Sequence, residues 1–323
     1  MAKAHVLVLP FPAQGHVTPL MELSHRLVDH GFEVTFINTE VDHALVVAAL
    51  RASSGGEAAL GGGIHLASVP DGLTDDEDRK DLNKLIDAVL EAAGPPGAAH
   101  RRLGGRRGGP SRSPGSLLRR QETFELAPGM PPLHTSQLPW TNAGAPEAQR
   151  IIFELITGNN KLNDLAEMTV TNSFHEAEAG ASKLFPNILP IGPLSADQKP
   201  VGNLLPEDGR CIKWLDAQPD RCGWNSTMEG VRNGVPFLCW PYFCDQHLNR
   251  SYITNVWRTG LAVSPGVDGI VTKEELRTKV EQVIGDAGIK ERARLFADVA
   301  RRCVREGGSS YENFNRLVNL LSE

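Results

Sequence analysis

The sequence predicts an α/β protein that opens with a parallel, doubly wound sheet. Order is the first observation that predicts it. The apolar run Val6-Leu7-Val8-Leu9 is followed by a glycine-containing loop, a stretch of helical period and a second run, Glu33-Val34-Thr35-Phe36-Ile37. Strand, crossover helix and strand make a βαβ unit, and such units build parallel sheets with helices on their faces. Size is the second. The chain has 323 residues, 41% of them hydrophobic, which suffices for two domains with real cores.

Each element has a local reason. No polar residue interrupts 6–9, so the first strand is expected to be buried on both faces. From Val17 onward, Val17, Leu20, Met21, Ser24, Leu27 and Val28 share one helical face, with His25 and His30 on the polar face. Gly31 is placed to end that helix. Residues 64–69 read as a strand and 81–92 as a helix. Residues 146–165 carry helical signals, with Pro146 at the opening. Residues 168–174 and 188–191 are strand-like. The polar, proline-containing segment 195–206 is the best linker, and 211–217 resembles a short helix. Residues 235–240 read as a short buried strand, 272–284 and 289–306 as amphipathic helices, and 311–321 as a closing helix. The expected organisation is an N-terminal domain over 1–194, a linker over 195–207 and a C-terminal unit over 208–323. The final helices of that unit are expected to pack back on the first domain.

Bulk properties exclude several classes. A net charge of -6 argues against nucleic acid as the main partner. No apolar stretch reaches the length of a membrane span. The apolar residues 4–11 follow Lys3 but run into a glycine loop rather than a cleavage site, so they read as a strand and not a leader. The five cysteines, 211, 222, 239, 244 and 303, form no CxxC pair and point to reduced thiols in a cytoplasmic setting. The sequons at Asn225 and Asn249 would then never meet the glycosylation machinery.

Composition breaks abruptly at 92–120. That tract holds seven Arg, seven Gly and four Pro, no acidic residue, and only three leucines as large apolar side chains. It cannot bury enough surface to offset its ordering entropy and is expected to be disordered. No aromatics interleave for base stacking, so a flexible loop outranks an RNA-binding arm. Arg, Gly, Pro and Ala richness is also what a shifted frame of GC-rich coding sequence produces, and that is the favoured reading.

Chemistry concentrates in two places. The stretch Cys222-Gly223-Trp224-Asn225-Ser226-Thr227-Met228-Glu229-Gly230 looks like a helix start, with Asn225 or Ser226 as its cap. Free backbone N–H groups there suit a diphosphate. Glu229 lies one turn on and could accept from ribose hydroxyls. Asp245-Gln246 follows a buried strand, at the end where doubly wound sheets bind ligands, and a carboxylate beside an amide suits vicinal sugar hydroxyls. The second place is Gly15-His16, in the first strand-to-helix loop, where a neutral imidazole could take a proton from a hydroxyl. Taken alone, these patterns read first as an ordinary capped helix, a strand-end turn and an idle histidine.

Their wording decides the matter. Gly223 to Gly230, then Gly234-Val235-Pro236, then Pro241-Tyr242-Phe243-Cys244-Asp245-Gln246 closely resembles the signature box of plant secondary-product glycosyltransferases. Gly15, His16 and Pro19 resemble that family's PxxxGHxxP loop. The segments 71–73, 128–133, 138–140, 172–176, 191–194 and 306–310 resemble it as well. The resemblance implies a GT-B fold of two facing Rossmann-like domains. It implies His16 as general base, Asn225 and Ser226 at the phosphates, Glu229 at the ribose, and Asp245 with Gln246 at the transferred sugar. The implied partners are a UDP-sugar co-substrate and a small lipophilic hydroxyl acceptor, with no metal and no separate cofactor. A dinucleotide oxidoreductase fits less well, because the first loop lacks GxGxxG and strand two runs into Asn38 rather than an acid.

The chain departs from that family twice. The resemblance implies an Asp, between about residue 92 and Pro128, that orients the catalytic His, yet no Asp or Glu occurs from 92 to 121. The segment 214–220 also runs straight into Arg221-Cys222, where the family has several strand–helix units carrying a uracil-stacking Trp and its nearby Gln. The C-terminal sheet is therefore expected to be incomplete, with one or two strands and exposed apolar edges. Together the departures read as internal loss or mis-splicing, and activity is expected to be impaired.

Overall fold

The computed structural model describes residues 4–52, 60–73, 84, 122–195 and 223–323. The tract 92–120, most of the linker and the segment 211–217 lie outside them. So do Arg221, Cys222 and, Lys84 apart, the helix expected over 81–92.

The N-terminal half begins as expected. Strand β1 (His5–Val8), helix α1 (Gln14–Asp29), strand β2 (Glu33–Thr39), helix α2 (Glu40–Ala52) and strand β3 (Ile64–Val69) follow in order. The strands form a parallel sheet with β2 in the centre, aligning Val6 with Val34 and Val34 with Ile64. Helix α1 ends where Gly31 takes a left-handed φ of 92°. Two expectations fail here. Val8 is buried, but Leu7 and Leu9 are 63% and 65% exposed, so β1 presents one face to the core and not two. His25 is buried rather than on a polar face, because it follows Val17 and Met21 at successive four-residue steps and so lies on the covered stripe of α1.

The chain continues through a two-residue antiparallel pair, β4 (Thr123–Phe124) and β5 (Leu133–His134). Helix α3 (Pro146–Leu162) has proline at its first turn, where the missing N–H costs nothing. Strand β6 (Thr169–Thr171), helix α4 (Ala179–Leu184) and strand β7 (Ile188–Pro190) make a second parallel unit.

After residue 222 come helix α5 (Trp224–Asn233), strand β8 (Phe237–Cys239), the short helix α6 (Gln246–Ser251), a π-helical turn (Tyr252–Trp257) and strand β9 (Gly260–Ala262). Helices α7 (Lys273–Gly285), α8 (Ala287–Cys303) and α9 (Ser309–Ser322) close the chain. Among the described residues this half holds one parallel pair, β8–β9. That pair is better covered than its size suggests. Phe237 and Cys239 face a core with Met228, Val231 and Ala300, while Leu238 on the other face meets Val263 and Val283. The exposed apolar side chains flank the strand instead, at Val235, Trp240 and Tyr242.

Helix α9 returns to the first sheet. Phe314 and Leu317 belong to one buried cluster with Val8, Val17, Met21 and Phe36. The Arg26 guanidinium lies 4.1 Å over the Phe314 ring, the His30 ring meets its edge at 5.0 Å, and Asn313 Nδ2 donates to the Pro190 carbonyl at 2.9 Å. Burying Phe314 completely contributes on the order of 2–3 kcal/mol.

Candidate functional site

The site is assembled where the start of α1 meets the start of α5, and a proline explains why they can join. An α-helix closes each carbonyl with the N–H four residues on. Pro19 lies inside α1 and has no N–H, so the Gly15 carbonyl is left without its helical donor. Asn225 Nδ2, from the first turn of α5, donates to it. The other end of that amide is held too, since Asn225 Oδ1 accepts from Asn172 Nδ2 at 3.1 Å. Asn172, just after β6, is the hub. Its Oδ1 accepts the Leu194 N–H at 2.8 Å, and its carbonyl accepts Trp224 Nε1 at 2.8 Å. Gly192 makes room for this, because a Cβ there would lie 2.4 Å from Asn172 Oδ1.

His16 sits in the first turn of α1 with the Phe11 ring edge-on at 5.3 Å. The residue is exposed, yet the protein around it favours the neutral form. Burial lowers its pKa below the ordinary 6.5, and the charge of Asp245 opposes that shift. A neutral histidine at neutral pH is the form that accepts a proton.

Asp245 reaches this place through a bend. Cys244 adopts a left-handed φ of 44°, a conformation that costs a residue with a Cβ about 1–2 kcal/mol. Phe243 and Cys244 pack with Phe11, Trp140, Ile151 and Ile152, and this apolar cluster holds the bend. Asp245 Oδ2 then accepts from Asn249 Nδ2 at 2.8 Å, with Asn249 buried. Gln246 Oε1 accepts the Tyr242 N–H at 3.1 Å. Burial first, and then the Asp245 charge, push the Cys244 thiol up to about 12, so it stays protonated.

The start of α5 corrects one expectation. Neither Asn225 nor Ser226 caps it. Gly223 is the N-cap, in extended backbone, and no side chain caps the helix. The helix begins earlier than expected because Trp224 is anchored as its first residue. Its indole donates to Asn172 and stacks in a tilted arrangement 6.3 Å from Trp257. Asn225 and Ser226 are therefore first-turn residues. Ser226 and Glu229 are both exposed and lie one turn apart on the same face. The first-turn N–H groups of α5 remain suited to an anion.

Gly15, His16, Asn225 and Asp245 are thus gathered in one place, with Gly223, Trp224 and Ser226 beside Asn225 on α5 and Gln246 next to Asp245. Sequence reasoning gave no role to Asn172, Pro19 or Asn249. Asn172 meets Asn225 across 53 residues and the carbonyl freed by Pro19 is taken across 210, pairings a one-dimensional pattern does not show, whereas Asn249 meets Asp245 only four residues away.

A family profile described as UDP-glucoronosyl and UDP-glucosyl transferase matches residues 220–301. UDP-glycosyltransferase 83A1 of Arabidopsis thaliana is 30% identical over 451 aligned positions, covering 99% of this chain and 97% of that protein. The chain belongs to the plant UDP-glycosyltransferase family. Solved members of that family share its fold. Phytolacca americana UGT2, complexed with UDP-2fluoro-glucose and pterostilbene, superposes with a TM-score of 0.68 at 18% identity, over 99% of each chain. Os79 from O. sativa in complex with UDP gives 0.71 at 20% identity, over 98% of this chain and 100% of that one. This UDP-glycosyltransferase is therefore an α/β protein of the GT-B type, two Rossmann-like doubly wound domains with the C-terminal one incomplete. Length agrees: the alignment with 83A1 spans 451 positions against 323 residues, so at least 128 positions have no residue of this chain opposite them.

Proposed function

We propose that this UDP-glycosyltransferase is built to move a sugar, glucose in the first instance, from a UDP-sugar to a hydroxyl of a small lipophilic acceptor, with inversion and without metal, in the cytoplasm. The observation that carries the proposal is the juxtaposition of His16 with the uncapped start of α5, fixed by the Asn225–Gly15 hydrogen bond. His16 would accept the acceptor proton while the acceptor oxygen attacks the anomeric carbon. UDP would leave with the bonding electron pair toward the first-turn N–H groups of α5, near Asn225 and Ser226. Glu229 would accept from the ribose, and Asp245 with Gln246 from the sugar. Holding donor and acceptor in line supplies most of the rate in such a scheme, and proton acceptance by His16 contributes about 10²–10⁴-fold. The ligands in the UGT2 complex, UDP-2fluoro-glucose and pterostilbene, support the pairing of a UDP-sugar with a small organic acceptor. Among the described residues no helix is long and apolar enough to cross a membrane.

Turnover is expected to be low. The Asn225 amide is engaged at both ends before any phosphate arrives. Only one strand pair is described in the nucleotide-binding half. These two observations favour a second reading, a non-catalytic remnant with weak nucleotide binding. The purified chain, incubated with UDP-glucose and a panel of flavonoids and phenols, should form glucoside slowly, and His16→Ala should lower that rate at least tenfold. Equal rates for both proteins would remove His16 from the mechanism. Calorimetry with UDP separates the readings, because micromolar binding excludes the remnant and absence of binding excludes the transferase.

A further inference from the structure

Proline inside a helix is ordinarily a cost, because it removes one backbone hydrogen bond and its ring crowds the carbonyl four residues back. In α1 that carbonyl belongs to Gly15, and Pro19 withholds the N–H that would close it. We propose that Pro19 is a positioning residue for the transfer: by keeping the Gly15 carbonyl vacant for Asn225, it sets the turn that carries His16 against the start of α5. The proposal rests on the transferase reading above and deepens it. It assigns part of the alignment between base and leaving-group site to a residue that belongs to neither.

A single chain of polar groups crosses the two halves. The Gly15 carbonyl accepts from Asn225 Nδ2, Asn225 Oδ1 accepts from Asn172 Nδ2 at 3.1 Å, and Asn172 Oδ1 accepts the Leu194 N–H at 2.8 Å. Asn225 has one allowed orientation in it. Turning the amide over would set Oδ1 against the Gly15 carbonyl and Nδ2 against Asn172 Nδ2, acceptor facing acceptor and donor facing donor. The far end is anchored, since Leu194 is buried and the Trp224 indole donates to the Asn172 carbonyl at 2.8 Å. Asn225 therefore stands at a fixed place, and the first turn of α1 is held to it. Gly15 contributes its carbonyl rather than its lack of a side chain, because a Cβ there would meet nothing within 4 Å. His16 follows directly. Its N–H and that of Val17 are taken by the Ala13 carbonyl, at 2.8 and 3.1 Å, so the turn bearing the imidazole is tied together and shifts with the Gly15 carbonyl.

An N–H at position 19 would loosen this chain while leaving every group in it present. It is the regular helical partner of the Gly15 carbonyl, and it would draw that oxygen back along the axis of α1, away from α5. The second lone pair of the carbonyl can still accept from Asn225, so the link is weakened rather than abolished.

The full chain tests this with Pro19→Ala and with lactic acid incorporated at position 19. The second variant has the alanine methyl but an ester in place of the amide, and so no N–H. Isotope labelling of asparagine reports the Asn225 side-chain amide, identified by its loss in Asn225→Ala. Pro19→Ala should raise the solvent-exchange rate of that amide about 2- to 10-fold, the worth of one ordinary hydrogen bond. It should lower kcat/KM for UDP-glucose by a similar factor, and the ester should restore both. A proline with a merely structural role gives a different result, because both replacements remove the ring and would then act alike. If Pro19→Ala does not fold, Pro19→Ser supplies the same N–H with the same expected direction. Unchanged exchange in the folded variant overturns the proposal, and so do equal effects of alanine and ester. Faster turnover in Pro19→Ala would make the contact a brake and overturn the positioning role. Faster exchange that the ester reverses, in a chain with no turnover, would sustain the placement of α1 by Pro19 while defeating the transferase reading.

Discussion

Asn172 joins both halves of the molecule through one side chain, so Asn172→Ala should be among the most damaging single changes outside the deep core. Two side-chain hydrogen bonds disappear, from the Leu194 N–H at 2.8 Å and to Asn225 Oδ1 at 3.1 Å. Leu194 is buried, so its N–H loses a partner with no ready replacement from water. An orphaned buried donor costs about 1–3 kcal/mol, and the second, part-buried bond contributes about 0.5–1.5 kcal/mol. The expected loss is roughly 2–4 kcal/mol, a large share of a typical stability of about 5–15 kcal/mol. Asn172→Asp keeps the acceptor for Leu194 but turns a carboxylate oxygen toward Asn225 Oδ1, so it should also destabilise, through the second contact alone. Urea unfolding followed by tryptophan fluorescence gives the midpoint and slope for each variant. Trp224 and Trp257 report directly, because both indoles donate to this loop, at the carbonyls of Asn172 and Ala177. A loss below about 0.5 kcal/mol for Asn172→Ala, with the slope unchanged, would refute the claim that the hub holds the halves together.

Three further outcomes are expected. Gly230→Ala would place a methyl 2.6 Å from the Phe237 ring, and overpacking of this kind should cost about 1–3 kcal/mol by thermal or urea unfolding. Trp257→Phe removes the buried 2.9 Å bond to the Ala177 carbonyl and should lower stability by about 1–3 kcal/mol while leaving far-UV dichroism intact. Because burial holds the folded His16 pKa below the ordinary 6.5, the unfolded chain takes up the proton first as pH falls. Stability should therefore decline as pH drops below about 6.5, until the folded pKa is passed. His16→Gln should remove that part of the slope, which matched urea titrations at several pH values would detect.

Much of the fold was legible from short-range pattern. The helical period from Val17, the glycine stop at Gly31 and the proline start at Pro146 each concern neighbours within a turn or two, and each stands where expected. The exposure of Leu7 and Leu9 was not legible, because an apolar run shows that a strand is hydrophobic and not which of its faces is covered. Helix α2 escaped notice because β2 passes into it at Glu40 with no turn residue between them. The site divided along the same line. His16, Asn225 and Asp245 were visible as chemistry-bearing residues in suggestive local settings. Their mutual arrangement depends on Asn225 meeting Gly15 across 210 residues and on Asn172 meeting Asn225 across 53. Even the Pro19 effect, local in origin, acquires meaning only when a distant amide takes the vacated carbonyl.

The return of α9 to the first sheet sets a schedule for synthesis. The N-terminal core closes only around Phe314 and Leu317. A ribosome that has finished residue 195 must add 122 more to reach Leu317, which takes roughly 6–24 s at common elongation speeds. Throughout that interval the nascent first half carries an open apolar seam, and whatever guards it in the cell must let go in time for the last helix to take its place.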